Sequence, residues 1–214
     1  MRSTKHATPE ALRKFIEELY TRGTVRGEDG GEFEIFPTSV TPDRGAFIRD
    51  ICRAEGATRA LEIGMAWGAS TLHILEALLG NSDKPRHVVV DRDQTSVFRG
   101  AGRRLLREAG VADFVDLHED KSELFLPMLV RDRCAFQFIF VDGAHDFDDV
   151  FVDFFYINRL LRPGAVVVFD DTFADSIHFV CRTRKPIMDI HLWRIIRPKA
   201  APSTTRNLPS SGGL

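Results

Sequence analysis

Three carboxylates and one imidazole, Asp142, Asp170, Asp171 and His145, are the residues of this chain whose types and spacing could do chemistry together. They lie in the run from Phe138 to Thr172, FIFVDGAHDFDDVFVDFFYINRLLRPGAVVVFDDT. The run reads as a strand ending in a carboxylate, a helix, a Pro-Gly turn, and a second strand ending in two adjacent carboxylates. Parallel strands bring their carboxyl ends to one edge, where open α/β sheets bind ligands. Hard oxygen donors beside one group that titrates near neutrality are the parts of a metal-assisted proton-abstraction site.

A second candidate is the turn in ALEIGMAWGAST, which sets Glu62, Gly64 and Gly68 between a strand and a helix. Glycine there lets a ligand approach the backbone, and the helix that follows offers unpaired N–H groups to an anion. Ser70 and Thr71 sit in its first turn and could hydrogen-bond a carboxylate. The spacing is G-x-x-x-G rather than the G-x-G-x-x-G of dinucleotide folds. Asp91 ends the next strand, HVVVD, where an acidic residue can accept hydrogen bonds from ribose hydroxyls.

These residues need a scaffold. From Arg59 onward short apolar segments alternate with amphipathic ones. Strands are expected at Ala60–Ile63, Arg86–Asp91, Phe114–His118, Phe136–Val141 and Ala165–Phe169. Helices are expected near Ala69–Leu79, Gln94–Glu108, Ser122–Arg131 and Phe147–Leu161. Such alternation predicts an α/β fold, a doubly wound, mostly parallel Rossmann-like sheet with helices on both faces. One further strand is expected within Ile187 to Ile196.

The chain should divide into three parts. Residues 1–55 carry two helices, one opening at Thr8-Pro9-Glu10 and one at Thr41-Pro42-Asp43 with Phe47, Ile48, Ile51 and Cys52 facing inward. Between them Gly23 to Phe36 is rich in glycine and charge and is expected to be a mobile loop. This part is the natural lid or substrate wall. Residues 56–197 form the core, and 198–214, rich in Pro, Ser and Gly, is expected to be a disordered tail.

Composition narrows the function. The 214 residues carry 43% hydrophobic and 28% charged side chains, as globular proteins do. A formal charge of −2 gives no electrostatic case for nucleic acid, and the cluster Arg103, Arg104 and Arg107 reads as a solvated helix face. Cys52, Cys134 and Cys181 lack CxxC spacing, so reduced thiols in the cytoplasm are expected. The N-terminal residues lack the apolar core of a signal peptide, and no apolar run is long enough to span a membrane. A homo-oligomer stays open.

Together these residues resemble a class I S-adenosylmethionine-dependent methyltransferase from about Val40 to Thr172. The resemblance is closest to the metal-dependent O-methyltransferases, of the catechol type and the bacterial sugar and macrolide type with a DGxH motif, here Asp142-Gly143-Ala144-His145. It implies that EIGMAWGAS holds the methionine end of S-adenosylmethionine. Glu62 would shape the loop, Gly64 and Gly68 would allow close approach, and Ser70 would reach the carboxylate. Asp91 would bind the ribose, and Ser122, in HEDKSELFLPML, would contact the adenine side. Asp142, Asp170 and Asp171 would hold a divalent cation, Mg²⁺ by their all-oxygen chemistry, and His145 would be the catalytic base. The chain departs from the family at Ala66, where glycine is usual. It also departs after Thr172, where one strand is identifiable instead of an antiparallel pair, so a shortened C-terminal edge is expected.

Each residue also has a plainer reading. Asp170 and Asp171 could cap the next segment. Asp146, Asp148, Asp149 and Asp153 read as charges favourable to a helix N-terminus and as a solvated face. Trp67 could line the cleft or pack under a helix. The sequence therefore favours an O-methyltransferase acting on a small hydroxylated molecule such as a sugar, phenol or natural product. Two alternatives stand beside it: a cofactor-binding relative without catalysis, and a nicotinamide-dependent oxidoreductase. An RNA-modifying enzyme is disfavoured by the charge.

Overall fold

The computed structural model describes residues 7–144, 146–171 and 192–195. Helix α1 (Pro9–Arg22) begins where the Thr8 hydroxyl accepts the Ala11 N–H at 3.2 Å, and it ends at Gly23 with φ 68°. Its buried stripe is Leu12, Ile16 and Leu19. Helix α2 (Pro42–Ala54) starts on a proline and buries Ile48, Ile51 and Cys52, whereas Phe47, expected inside, is exposed.

The segment expected as a mobile loop is instead a hairpin. Strand β1 (Thr24–Arg26) pairs antiparallel with β2 (Glu32–Glu34), with Val25 opposite Phe33. Val25 is buried, and Phe33 stacks on Trp67 with ring centroids 5.5 Å apart. One aliphatic and one aromatic anchor therefore outweigh the glycines and charges between them.

The remaining strands are β3 (Arg59–Ile63), β4 (Arg86–Val90), β5 (Val115–His118), β6 (Phe136–Val141), β7 (Leu161–Phe169) and β8 (Leu192–Ile195). They form one sheet in the order β5-β4-β3-β6-β7-β8, and every described pairing in it is parallel. The expected α/β Rossmann-like architecture is therefore present. The strand expected near the C-terminus lies at its edge. The tail at 198–214 and the stretch from Phe173 to Cys181 lie outside the described residues.

Alternate residues divide the core. Ala60, Val89, Phe138, Phe140, Val166 and Val168 face the cluster that includes α1, α2 and helix α3 (Ala69–Asn81). Leu61, Ile63, Ile139, Val141, Val167 and Phe169 face helices α5 (Ser122–Arg131) and α6 (Phe147–Leu160). Period-two burial on both faces is why these strands read as continuous apolar runs.

Helix α4 (Ala101–Glu108) is shorter than the Gln94–Glu108 expectation. The Gln94 side chain is tied to Ala66 and Asp91, and Arg99 and Gly100 take φ of 51° and 68°, so the chain turns before the helix can start. Among the described residues no helix is long and apolar enough to cross a membrane.

Candidate active site

The strand order reverses its direction of growth between β3 and β6, and the loops leaving those two strands open the crevice where such sheets bind ligands. Backbone hydrogen bonds run past the strand ends and set these loops side by side. Gly64 N–H donates to Val90 O at 2.9 Å, Asp91 N–H to His118 O at 3.0 Å, Asp142 N–H to Ile63 O at 2.8 Å, and Asp170 N–H to Val141 O at 3.0 Å. Sheet geometry alone thus aligns the residues that end four strands.

The turn after β3 is built from within. Gly64 has φ 86°, and the space a Cβ would need there is filled by the Asp142 carbonyl oxygen. Asp91 Oδ2 accepts the N–H groups of Met65 and Ala66, both at 2.8 Å, and Oδ1 accepts Asp93 N–H at 2.8 Å. The Gln94 amide donates to Ala66 O at 2.7 Å and to Asp91 Oδ2 at 3.2 Å. Ala66 is held at φ 49°, a conformation that costs a residue with a Cβ about 1–2 kcal/mol. Trp67 is packed between Phe33 and Phe98 and does not face the cleft.

Glu62 is fully buried beneath this turn. Ser70 Oγ donates to its Oε1 at 2.6 Å and Thr71 Oγ1 to its Oε2 at 2.8 Å, so the carboxyl group braces the first turn of α3. Burial pushes Glu62 up to about 8 against the pull of those two hydroxyls. His87 Nε2 lies 3.3 Å from Glu62 Oε2, but burial lowers the imidazole to about 3, so the contact is not an ion pair.

A cleft of about 390 Å³ opens above the turn. Gly64, Asp91, Ser122, Asp142 and Asp171 line it, and Pro37 and Thr38 from the N-terminal part form one wall. Glu62, Gly68, Ser70 and Asp170 lie behind the lining, and His145 lies outside the described residues. Ser122 also lies beside Asp153 on α6. Asp153, read from the sequence as part of a solvated face, is buried, and burial pushes it up to about 7.

The three carboxylates crowd one another. Asp142 is held well above the ordinary range by burial and then by the negative charges of Asp170, Asp171 and Glu62. Arg44, on the first turn of α2, opposes this. Its Nη1 is 3.2 Å from Asp170 Oδ1 and 3.7 Å from Asp171 Oδ1. The donor chemistry suits a hard divalent cation, because carboxylates that resist ionising together are stabilised by positive charge. Among the described residues, however, no group of three or more His, Cys, Asp or Glu side chains is arranged to hold a metal ion.

With this geometry in place, comparison with known proteins is decisive at the family level. A model described as a methyltransferase domain matches residues 61–172, just over half of the chain. The chain belongs to that family. The chain is 27% identical over 147 residues to a catechol O-methyltransferase of Niastella koreensis, covering 64% of this chain and 60% of that protein. It is 26% identical over 142 residues to a caffeoyl-CoA O-methyltransferase of Eucalyptus globulus, covering 63% of this chain and 52% of that one. The chain thus spans between half and three-fifths of the length of these relatives.

Solved structures agree. The O-methyltransferase TomG of Streptomyces achromogenes, crystallised with S-adenosylmethionine, superposes with a TM-score of 0.60 at 27% identity, covering 80% of this chain and 76% of that one. A Bacillus cereus O-methyltransferase with S-adenosylhomocysteine shares the fold, at a TM-score of 0.60 and 21% identity, covering 83% of this chain and 73% of that one. The class I S-adenosylmethionine-dependent O-methyltransferases are therefore the proteins that the methyltransferase domain resembles in sequence and in fold.

Sequence reasoning passed over three residues of the site. Gln94 was read as the start of a helix, although an amide three residues beyond a strand-end carboxylate is well placed to fasten a loop. Phe98 lines the cleft beside Trp67. Arg44 carried no local signal, because its carboxylate partners lie far along the chain.

Proposed function

We propose that the methyltransferase domain binds S-adenosylmethionine in this cleft and transfers its methyl group to a hydroxyl of a small molecule, with a divalent cation at Asp142, Asp170 and Asp171. The observation that carries this reading is the meeting of Gly64, Asp91, Ser122, Asp142 and Asp171 around one cleft at the switch point of the sheet. The cofactor-bound neighbours of the same fold support the choice of cofactor.

Each residue then has a role. Gly64 lets the turn after β3 pack directly on the Asp142 carbonyl and so shapes the methionine end, and Gly68, with φ 95° at the start of α3, turns the loop into the helix. Glu62 braces that helix through Ser70 and Thr71, which sets the N-terminus of α3 toward the methionine carboxylate, while Asp91 takes the Met65 and Ala66 N–H groups. Asp91 ties the loop to β4 and faces the ribose position, and Ser122 lies toward the adenine end. When bound, a Mg²⁺ ion would supply Lewis acidity that lowers the pKa of a coordinated hydroxyl. His145, by its place in Asp142-Gly143-Ala144-His145, accepts the proton. Holding acceptor and methyl donor in one enclosed cleft supplies the remaining rate.

The lining also bears on the acceptor. Asp93, Asp120, Glu123, Asp142, Asp149 and Asp171 face the cleft, with Arg92 as the basic residue among them. This field favours a sulfonium cation and a neutral or cationic acceptor such as a sugar or phenol, and disfavours one bearing several phosphates. Pro37 and Thr38 make the N-terminal part a wall of the acceptor site. The buried Cys52 and partly buried Cys134, both unpaired, suit a reducing cytoplasm.

Calorimetric titration of S-adenosylhomocysteine, with and without Mg²⁺, followed by an acceptor screen, tests the reading. Saturable binding and metal-dependent methylation of a sugar or phenol are expected. Absence of cofactor binding by folded protein would overturn the function. Binding with full turnover in excess chelator would remove only the metal.

A further inference from the structure

Arg44, like the wall residues Pro37 and Thr38, lies outside the family match at residues 61–172. Its guanidinium reaches 126 residues along the chain to Asp170, with Nη1 at 3.2 Å from Oδ1 and 3.4 Å from Oδ2, and it lies 3.7 Å from Asp171 Oδ1. Asp170 is only 2% exposed. A carboxylate so deeply placed keeps its charge only when a cation is beside it. Arg44 supplies such a cation.

We propose that Arg44 is a resident counter-cation of the Asp170–Asp171 pair, which a divalent ion must displace to reach those carboxylates, so that Arg44 sets how tightly the site takes metal. The proposal rests on the metal-site reading above. It explains why the donor chemistry suits a hard cation while the carboxylates are not gathered around one point: two of them are turned to a guanidinium. Arginine and a divalent ion draw on the same carboxylate lone pairs, and an arginine–carboxylate pair has charge-assisted bonds that must be given up before the ion can bind. Because Arg44 sits on the first turn of α2, a few residues beyond Pro37 and Thr38, the acceptor wall and the metal competitor belong to one segment.

The test is a titration of the full chain with Mn²⁺, reading free ion by electron paramagnetic resonance, in wild type, Arg44→Gln and Arg44→Lys. Circular dichroism and thermal melting report whether each variant folds, and Arg44→Lys keeps a cation at the position if Arg44→Gln does not. Arg44→Gln should bind Mn²⁺ about ten-fold tighter or more. Arg44→Lys should stay near wild type, and adding Asp170→Asn to Arg44→Gln should abolish the gain. Equal affinity in wild type and Arg44→Gln would overturn the counter-cation role while leaving the metal site standing. Weaker binding by Arg44→Gln would overturn it in the opposite sense, making Arg44 a support of the ligand set. No Mn²⁺ binding by any folded variant would overturn the metal-site reading and this inference with it.

Discussion

The Cβ position of Gly64 is occupied by the carbonyl oxygen of Asp142, so the turn after β3 and the loop after β6 are packed backbone to backbone. One glycine therefore joins the cofactor side of the cleft to its carboxylate side. Gly64→Ala adds a Cβ at φ 86° and drives it into that carbonyl. Since neither backbone can yield cheaply, we expect a loss of at least about 2 kcal/mol in urea unfolding. S-adenosylhomocysteine affinity should fall ten-fold or more. A variant with wild-type melting and affinity would mean that the two loops can part without cost.

Asp91 fastens the same turn from the other side. Its carboxylate serves Met65, Ala66, Asp93 and Gln94 at once, so Asp91→Asn replaces acceptor capacity with a donor amide and removes the charge from every bond. Amide exchange at Met65 and Ala66 should quicken, and calorimetry should show at least a ten-fold loss of S-adenosylhomocysteine affinity. Unchanged exchange with reduced affinity would confine Asp91 to the ribose. Unchanged affinity would remove it from the cofactor site.

What the sequence showed and what it hid follow from the range of the interactions. The strands of the main sheet were legible because runs such as Phe138–Val141 and Ala165–Phe169 are apolar on both faces and are bounded by carboxylates. The same boundary residues meet at one edge for geometric reasons, so the carboxylate cluster is legible in the sequence itself. The hairpin was hidden because each strand is three residues long and is held by Phe33 stacking on Trp67, a contact between distant segments. Arg44 was hidden for the same reason, since nothing near Pro42 announces a partner at Asp170. Asp153 was misjudged because helical spacing alone does not say which charged position faces α5.

Buried carboxyl groups, Glu62 and Asp153 among them, give stability a pH dependence of definite sign. Glu62 is raised to about 8 and Asp153 to about 7, in each case chiefly by burial. Between the ordinary carboxyl range and these values the native state holds protons that the unfolded chain has released. Stability is thus full at low pH with respect to these groups and is lost as pH rises through about 7 to 8. Urea unfolding should show a loss of several kcal/mol, on the order of 5, from pH 5 to pH 8. Asp153→Asn, which removes the titrating group with little change of shape, should flatten part of that slope. A slope unaltered by Asp153→Asn would mean that Asp153 ionises freely in the fold.

The assignment of His145 as base rests on the Asp142-Gly143-Ala144-His145 spacing, and kinetics can separate it from a structural histidine. If its imidazole takes the acceptor proton, His145→Ala should lower kcat by about 10²–10⁴-fold. S-adenosylhomocysteine affinity should change far less than kcat. The acidic limb of the pH–rate profile, set by an imidazole that must be neutral to accept, should vanish in the variant. A phenolic acceptor of low pKa needs less help in losing its proton, so the loss should shrink as acceptor pKa falls. A uniform loss across acceptors of different pKa, with the acidic limb intact, would show that His145 positions the loop and that another group takes the proton.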